Sequence, residues 1–251
     1  EGSDPYAVLS GRLWVKWKYR GDMADLGGPD TYGAIGPNWA ATAAAPLAGY
    51  KFYATEGGIR VPLVIAGVPG MQGGRIHHAF AHATDITPTL LELAGVPHPG
   101  RQYRGHEIEP LAGASLLPVL RGQARRVRSP DEPVGYELSG NAALFKGDYK
   151  LVRNLPPMGD NGWRLYDIVR DPGETRDLSA EMPGLFKSMQ DDYHAYAYSH
   201  GVLPMPKGYD PVRQVELNAF YNVYVPRFKW PALGLLALLL AGGWLWWRRR
   251  R

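Results

Sequence analysis

The chain has 251 residues, 45% hydrophobic and 21% charged, which excludes a disordered polymer, and no cysteine, which excludes a disulfide framework, a thiolate zinc site and a cysteine nucleophile. Its 28 Lys and Arg against 24 Asp and Glu give a formal charge of +4. The last four residues, Arg248 to Arg251, are all arginine, and without them the count is 24 against 24, so the basicity belongs to the tail and no nucleic acid partner is expected.

Residues 1–50 read as loop-rich, punctuated by Gly27-Gly28-Pro29-Asp30 and Gly36-Pro37, with one short helix expected near Tyr6 to Trp14. The aromatics from Trp14 to Trp39 are of a kind that could shape an aryl-binding pocket. Ile59 to Ala66 is an almost wholly apolar run and predicts a strand buried on both faces, as in a helix-covered parallel sheet. Asp85 to Gly95 predicts a helix, with Asp85 as its cap, Pro88 in its first turn and Gly95 at its end. Strand, connection and helix make an α/β cadence.

The next block changes character. Val134 to Leu138, Ala142 to Phe145, Asp148 to Arg153 and Trp163 to Ile168 predict a small antiparallel meander, with Lys146-Gly147-Asp148 as a tight hairpin. A helix is expected over Pro183 to Ser199, its Met182, Leu185, Phe186, Met189, Tyr193 and Tyr196 stripe packing on the meander. The acids Asp191 and Asp192 are expected on its solvated face. Residues 201–229, rich in proline and without periodicity, read as an extended linker.

Trp230 to Trp247 is 18 residues without a charge. As a helix it would extend about 27 Å, close to the roughly 30 Å hydrocarbon core of a bilayer. Tryptophans stand at both ends and the arginines follow, which predicts a membrane anchor with a cytoplasmic Arg tail and an extracytoplasmic folded part. The order of the tail is also that of a bacterial sorting signal, although Val225-Pro226-Arg227-Phe228 does not fit a recognition motif. No phosphate-binding glycine loop, nucleophile elbow or His-Glu metal helix occurs. His77, His78 and His82 form a local cluster that is expected at a loop or site edge rather than as a complete metal site.

Three segments resemble the C-terminal portion of the sulfatases, and in particular the bacterial arylsulfatases of the alkaline-phosphatase superfamily. Tyr50-Lys51-Phe52 through Gly57-Gly58-Ile59-Arg60-Val61-Pro62 resembles the family's lysine and Gly-Gly-x-Arg-x-Pro stretch. Asp85-Ile86-Thr87-Pro88-Thr89-Leu90-Leu91 through Ala94-Gly95 resembles its Asp-x-x-Pro-Thr helix, and Leu165-Tyr166-Asp167 with Asp171-Pro172-Gly173-Glu174 through Leu178 resembles a third segment. The resemblance covers residues 1–202. It implies an alkaline-phosphatase-like α/β fold, present here only in part. Residues 1–130 would be the remnant of a mixed-sheet large domain and 131–202 a small domain of antiparallel sheet and helix. Residues 203–229 would be a linker, 230–247 a transmembrane helix and 248–251 a cytoplasmic cluster.

The resemblance also implies sulfate ester hydrolysis by a formylglycine nucleophile with a calcium ion. No Cys/Ser-x-Pro-x-Arg motif occurs in the chain. The nucleophile and the calcium ligands are therefore expected upstream of Glu1, in a missing N-terminal part of the same protein, and the isolated piece is expected to be inactive and to aggregate. Lys51 occupies the place of the family lysine that contacts the sulfate and is the candidate catalytic and substrate-binding residue. His78 is a candidate at the substrate rim. Gly57 and Gly58 are expected to serve the backbone turn, and Arg60 to support the site by pairing. A phosphodiesterase or phosphonate hydrolase of the same superfamily and a noncatalytic membrane-tethered module are the alternatives.

Overall fold

The computed structural model describes residues 36–71 and 73–250. The helix expected near Tyr6 to Trp14 lies outside them. The chain divides into two units, one from Pro37 to Leu203 and one that holds Pro204–Arg251.

In the first unit, α1 (Gly36–Ala44) begins at a glycine and proline that the sequence offered only as punctuation, and a proline in a first turn suits a helix because its missing N–H has no partner there. After it come α2 (Glu56–Ile59), a 3₁₀ turn (Ala83–Asp85) that runs into α3 (Ile86–Leu93), a two-residue-stranded hairpin of β1 (Gln102–Tyr103) and β2 (His106–Glu107), and α4 (Leu117–Leu120). The four-stranded sheet follows: β3 (Val134–Leu138), β4 (Asn141–Lys146), β5 (Tyr149–Arg153) and β6 (Arg164–Asp167), in sequence order and wholly antiparallel. The meander read from the sequence is therefore present, with boundaries moved by a residue or two. Gly147, at φ 62°, opens the two-residue loop between Lys146 and Tyr149.

Strand alternation divides this sheet into two buried faces. On one, Ala142, Leu144, Leu151 and Leu165 pack with Met189 and Tyr193 of α5 (Pro183–Ser199). Leu144, Leu151 and Leu165 stand in register across three strands. Burying each leucine is worth about 1.5–3 kcal/mol relative to exposure. A Cβ on Gly135 would run into the Tyr196 ring, so the missing side chain is what lets α5 sit down on β3. Asp192 is not purely solvated as expected: Lys146 Nζ reaches it at 2.7 Å and ties α5 to the end of β4. On the other face, Ala143, Phe145, Val152 and Tyr166 pack with Ala54, Ile59 and Phe80.

Three expectations are corrected. Ile59 to Ala66 forms no strand: Ile59 ends α2 and the rest is irregular, with Val61 and Val64 77% and 89% exposed. A strand needs ladder partners, and none stands beside this run among the described residues. No mixed sheet occurs among them either, since every pairing described is antiparallel. Finally, the span 203–229 is largely helical. It holds α6 (Pro211–Ala219), a π-helical turn (Phe220–Tyr224) and the start of α7 (Val225–Arg249). Pro211 and Pro226 stand in the first turns of their helices, the one helical position where proline costs nothing.

In the second unit, the stretch of α7 from Phe228 to Arg249 is long and apolar enough to cross a membrane, and none of its apolar window is buried. Arg248 and Arg250 lie 4.5 and 3.9 Å from the rings of Trp244 and Trp246, one turn back.

Candidate active site

The segment that carries Lys51 is a tight, strained turn. Phe52 adopts φ 86°, in the left-handed region. A bulky residue there costs about 1–3 kcal/mol and persists only when its surroundings hold it. Lys51 is exposed, its Nζ 5.6 Å from the Phe52 ring centroid. The turn then folds back on itself. The Gly57 N–H donates to Ala48 O at 2.8 Å, and the Gly58 N–H donates to Thr55 O at 2.8 Å. A Cβ on Gly57 would overlap the carbonyls of Ala48 and Gly49, and one on Gly58 those of Tyr53 and Tyr50. Both glycines therefore permit close backbone approach.

Side chains from β4 and from the loops after β5 and β6 hold this segment. Asn141 Nδ2 donates to Phe52 O at 2.7 Å, the Ala54 N–H donates to Asn154 Oδ1 at 2.7 Å, and the Glu56 N–H donates to Glu174 Oε2 at 2.8 Å. Below them lies an ion cluster. Lys150, fully buried, places Nζ 2.9 Å from both Glu56 Oε1 and Glu174 Oε1. Lys150 points from the face it shares with Phe145 and Tyr166, its neighbours in register, and its Nζ lies 5.3 Å from the Phe145 centroid. Arg60 Nη1, 3.6 Å from Glu56 Oε2, supplies a second positive charge at the edge. Burial pushes the Glu174 carboxyl above its ordinary value, against the pull of Lys150 and the Glu56 N–H. The sequence reading missed this cluster. Glu56 and Glu174 lie inside two of the quoted motifs, and a lone lysine in the buried register of an apolar strand was the signal.

The Asp-x-x-Pro-Thr motif has its own buried pair. Asp85 is fully buried and stands at the N-cap of α3 as expected, but its side chain makes no hydrogen bond to the first turn of that helix. Its carboxylate instead accepts from the N–H groups of His82 at 2.7 Å and Ala114 at 2.9 Å and from both terminal nitrogens of Arg128. Burial alone would raise its pKa, but Arg128 and the two N–H groups hold it below the ordinary value. Thr89 extends the contact: its hydroxyl donates to Asp85 O at 2.6 Å and accepts from the Leu116 N–H at 2.8 Å. The Asp-x-x-Pro-Thr pattern thus recruits the 113–117 loop. Gly95, at φ 65°, ends α3 as expected.

The histidines do not converge. His77 and His78 are exposed, and His82 Nδ1 lies 2.9 Å from Thr84 Oγ1. No hydrogen bond or ion pair joins Lys51 to His78 among the described residues. Nor do these contain a group of three or more His, Asp or Glu able to hold a metal. Asp85 is held by Arg128, and Glu56 and Glu174 by Lys150. A calcium ion therefore has no fitting donor set among the described residues. Trp39, from the aromatic segment, is 70% exposed on α1, and the other members from Trp14 to Tyr32 lie outside the described residues.

Residues 27–96, which include Lys51, the glycine turn and α3, match the sulfatase family model. An uncharacterized sulfatase of Schizosaccharomyces pombe is 33% identical over 209 residues, covering 82% of this chain and 37% of that protein. The choline-sulfatase of Rhizobium meliloti is 35% identical over 142 residues, covering 53% of this chain and 24% of the relative. Among solved structures, Ps i-CgsB in complex with k-i-k-neocarrahexaose superimposes with a TM-score of 0.51 at 21% identity, covering 74% of this chain and 38% of that one, which speaks to the fold alone. The chain spans 37% of the first relative's length and 24% of the second's. The resemblance to the sulfatases is borne out: the chain is similar to members of that family over most of its length, and those relatives are sulfuric ester hydrolases by name.

Proposed function

We propose that this chain is the C-terminal part of a membrane-anchored sulfatase and that it contributes Lys51 to an active site completed by a preceding part of the same protein. The observation that carries the reading is the sulfatase match over residues 27–96, which contains Lys51 on its strained turn. As the S–O bond of a sulfate ester breaks, negative charge builds on the bridging oxygen. An ammonium held within hydrogen-bond reach of that oxygen stabilises the charge where it develops. Lys51 is exposed and pairs with no carboxylate among the described residues, whereas Lys150 is buried between two carboxylates and cannot serve. His78 would stand at the rim of the same site. In this reading Gly57, Gly58 and Arg60 shape the turn. The calcium ion and the formylglycine belong to residues outside those described, and the chemistry they would supply is Lewis-acid stabilisation and a nucleophile.

The apolar run of α7 and the following arginines support a single membrane span, with the Arg cluster in the cytoplasm and the folded part on the outer, periplasmic side. The experiment uses the full-length protein. It should release inorganic sulfate from an aryl sulfate and remain in the membrane pellet after alkaline carbonate extraction. Phosphate diester cleavage without sulfate release would overturn the substrate class, and release into the carbonate supernatant would overturn the span.

A further inference from the structure

Phe52 O, Ala54 N and Glu56 N are alternate backbone groups of one short segment, and each is bonded to a side chain of the sheet unit that lies 89, 100 or 118 residues away in sequence. This is side-chain templating of a loop: the bonds that a ladder partner would make are made instead by two amides and a carboxylate. Asn141 is the most constrained of the three. It is 1% exposed and opens β4, the most buried strand of the sheet. Both ends of its carboxamide are used, since Nδ2 donates to Phe52 O while Oδ1 accepts from the Leu155 N–H at 2.8 Å. The amide therefore cannot rotate to follow a moving loop. Returning Phe52 to an ordinary backbone region would swing its carbonyl away from Nδ2, leaving a buried donor without a partner. The same rotation would redirect the neighbouring Lys51.

We propose that Asn141 is a positioning residue for Lys51: through the Phe52 carbonyl it holds the left-handed turn that presents the Lys51 ammonium to a sulfate ester. This rests on the reading of Lys51 as a sulfate-contacting residue. Asn154 and Glu174 hold the next two points, so the small sheet and its helix serve the site as a rigid base for a single strained turn.

The test is a double-mutant cycle in the full-length protein with an aryl sulfate as substrate. Asn141→Asp keeps an acceptor for Leu155 and, when ionised, sets a carboxylate oxygen against Phe52 O, so it replaces the bond in question by a repulsion. It should lower kcat by about 10–100-fold, the scale of a misplaced catalytic group. In the Lys51→Ala background the same change should lower kcat by less than about twofold, because the group it positions is gone. Hydrogen exchange gives a readout apart from turnover: amides of residues 52–56 should exchange at least ~10-fold faster in Asn141→Asp while those of β4 and β5 keep their protection. If Asn141→Asp does not fold, Asn141→Ala takes its place in the cycle with the same expectations. Equal falls in both backgrounds, or unchanged exchange over 52–56, would overturn the positioning role alone. Wild-type turnover in Lys51→Ala would overturn the Lys51 reading and this proposal with it.

Discussion

The four-stranded sheet with α5 and the segment from Ile59 to Leu93 carry similar apolar runs and dispose of them in opposite ways. Leu144, Leu151 and Leu165 are fully buried, whereas Val61, Leu63, Val64 and Leu90 are 53–89% exposed. The difference lies in sequence distance. Each strand of the sheet finds its partner across a hairpin or one loop, and α5 follows close behind to cover one face. The run after Ile59 has apolar character on both faces but no neighbour in the described chain to pair with. It touches the sheet at its start, through Ile59, and again where Phe80 meets Phe145 with ring centroids 4.6 Å apart. Apolar pattern alone specifies that a segment wants burial. Only a partner of suitable register turns that into a strand.

Changes in the sheet unit should therefore be costly, and changes in the exposed run should not. The largest effect is expected for Lys150→Met, which leaves Glu174 buried without its cation and Glu56 with only the edge charge of Arg60. A loss of about 3–5 kcal/mol at pH 7 is expected in chemical unfolding, and a loss under ~1 kcal/mol would show that the cluster is not a tie between the two motifs. The pH dependence has a definite sign. A carboxylate whose folded pKa is raised, as for Glu174, contributes stability that is present below its ordinary value of 4.5 and lost as pH rises through the folded value. Without Lys150 the shift grows, so the penalty of Lys150→Met should shrink as pH falls from 7 towards 5. A penalty that grows over that range would contradict the assignment.

Asp85→Asn tests the other buried pair and should cost somewhat less, about 2–4 kcal/mol, because Glu132, 3.4 Å from Arg128 Nε, still faces the guanidinium. Here the folded pKa is lowered, so the stability is present above the ordinary value of 3.8 and lost as pH falls through the folded value. The gap between wild type and variant in thermal melts should therefore close in acid. Gly135→Ala comes next, at about 1–3 kcal/mol, since the new methyl must displace the Tyr196 ring. The smallest effect is expected from Val64→Asp in the 251-residue chain held in detergent: a stability change within ~0.5 kcal/mol, together with less self-association. A larger loss would mean that this run is packed after all.

Where neighbouring segments make the structure, the sequence was a good guide. The meander, α5 with its Pro183–Ser199 boundaries and the glycine stop of α3 were all legible from local pattern. What escaped it depended on distant partners. Asp85 looks like a cap in isolation, but its carboxylate is taken by Arg128, 43 residues on. The helices after 203 escape a reading in which proline breaks structure, because Pro211 and Pro226 stand in first turns where proline is tolerated. The candidate site was half legible. Lys51, Gly57, Gly58 and Arg60 stand in a recognisable motif, whereas Asn141, Asn154, Lys150 and Glu174 reach it from 80 or more residues away. Amide and carboxylate partners leave no periodicity to read.

The most direct measurement is the turnover of an aryl sulfate by the full-length protein with Lys51→Ala. The account predicts a fall in kcat of at least ~100-fold with an unchanged thermal midpoint. Turnover within about twofold of wild type would remove Lys51 from the mechanism, and with it the reason for the strained turn that the sheet holds in place.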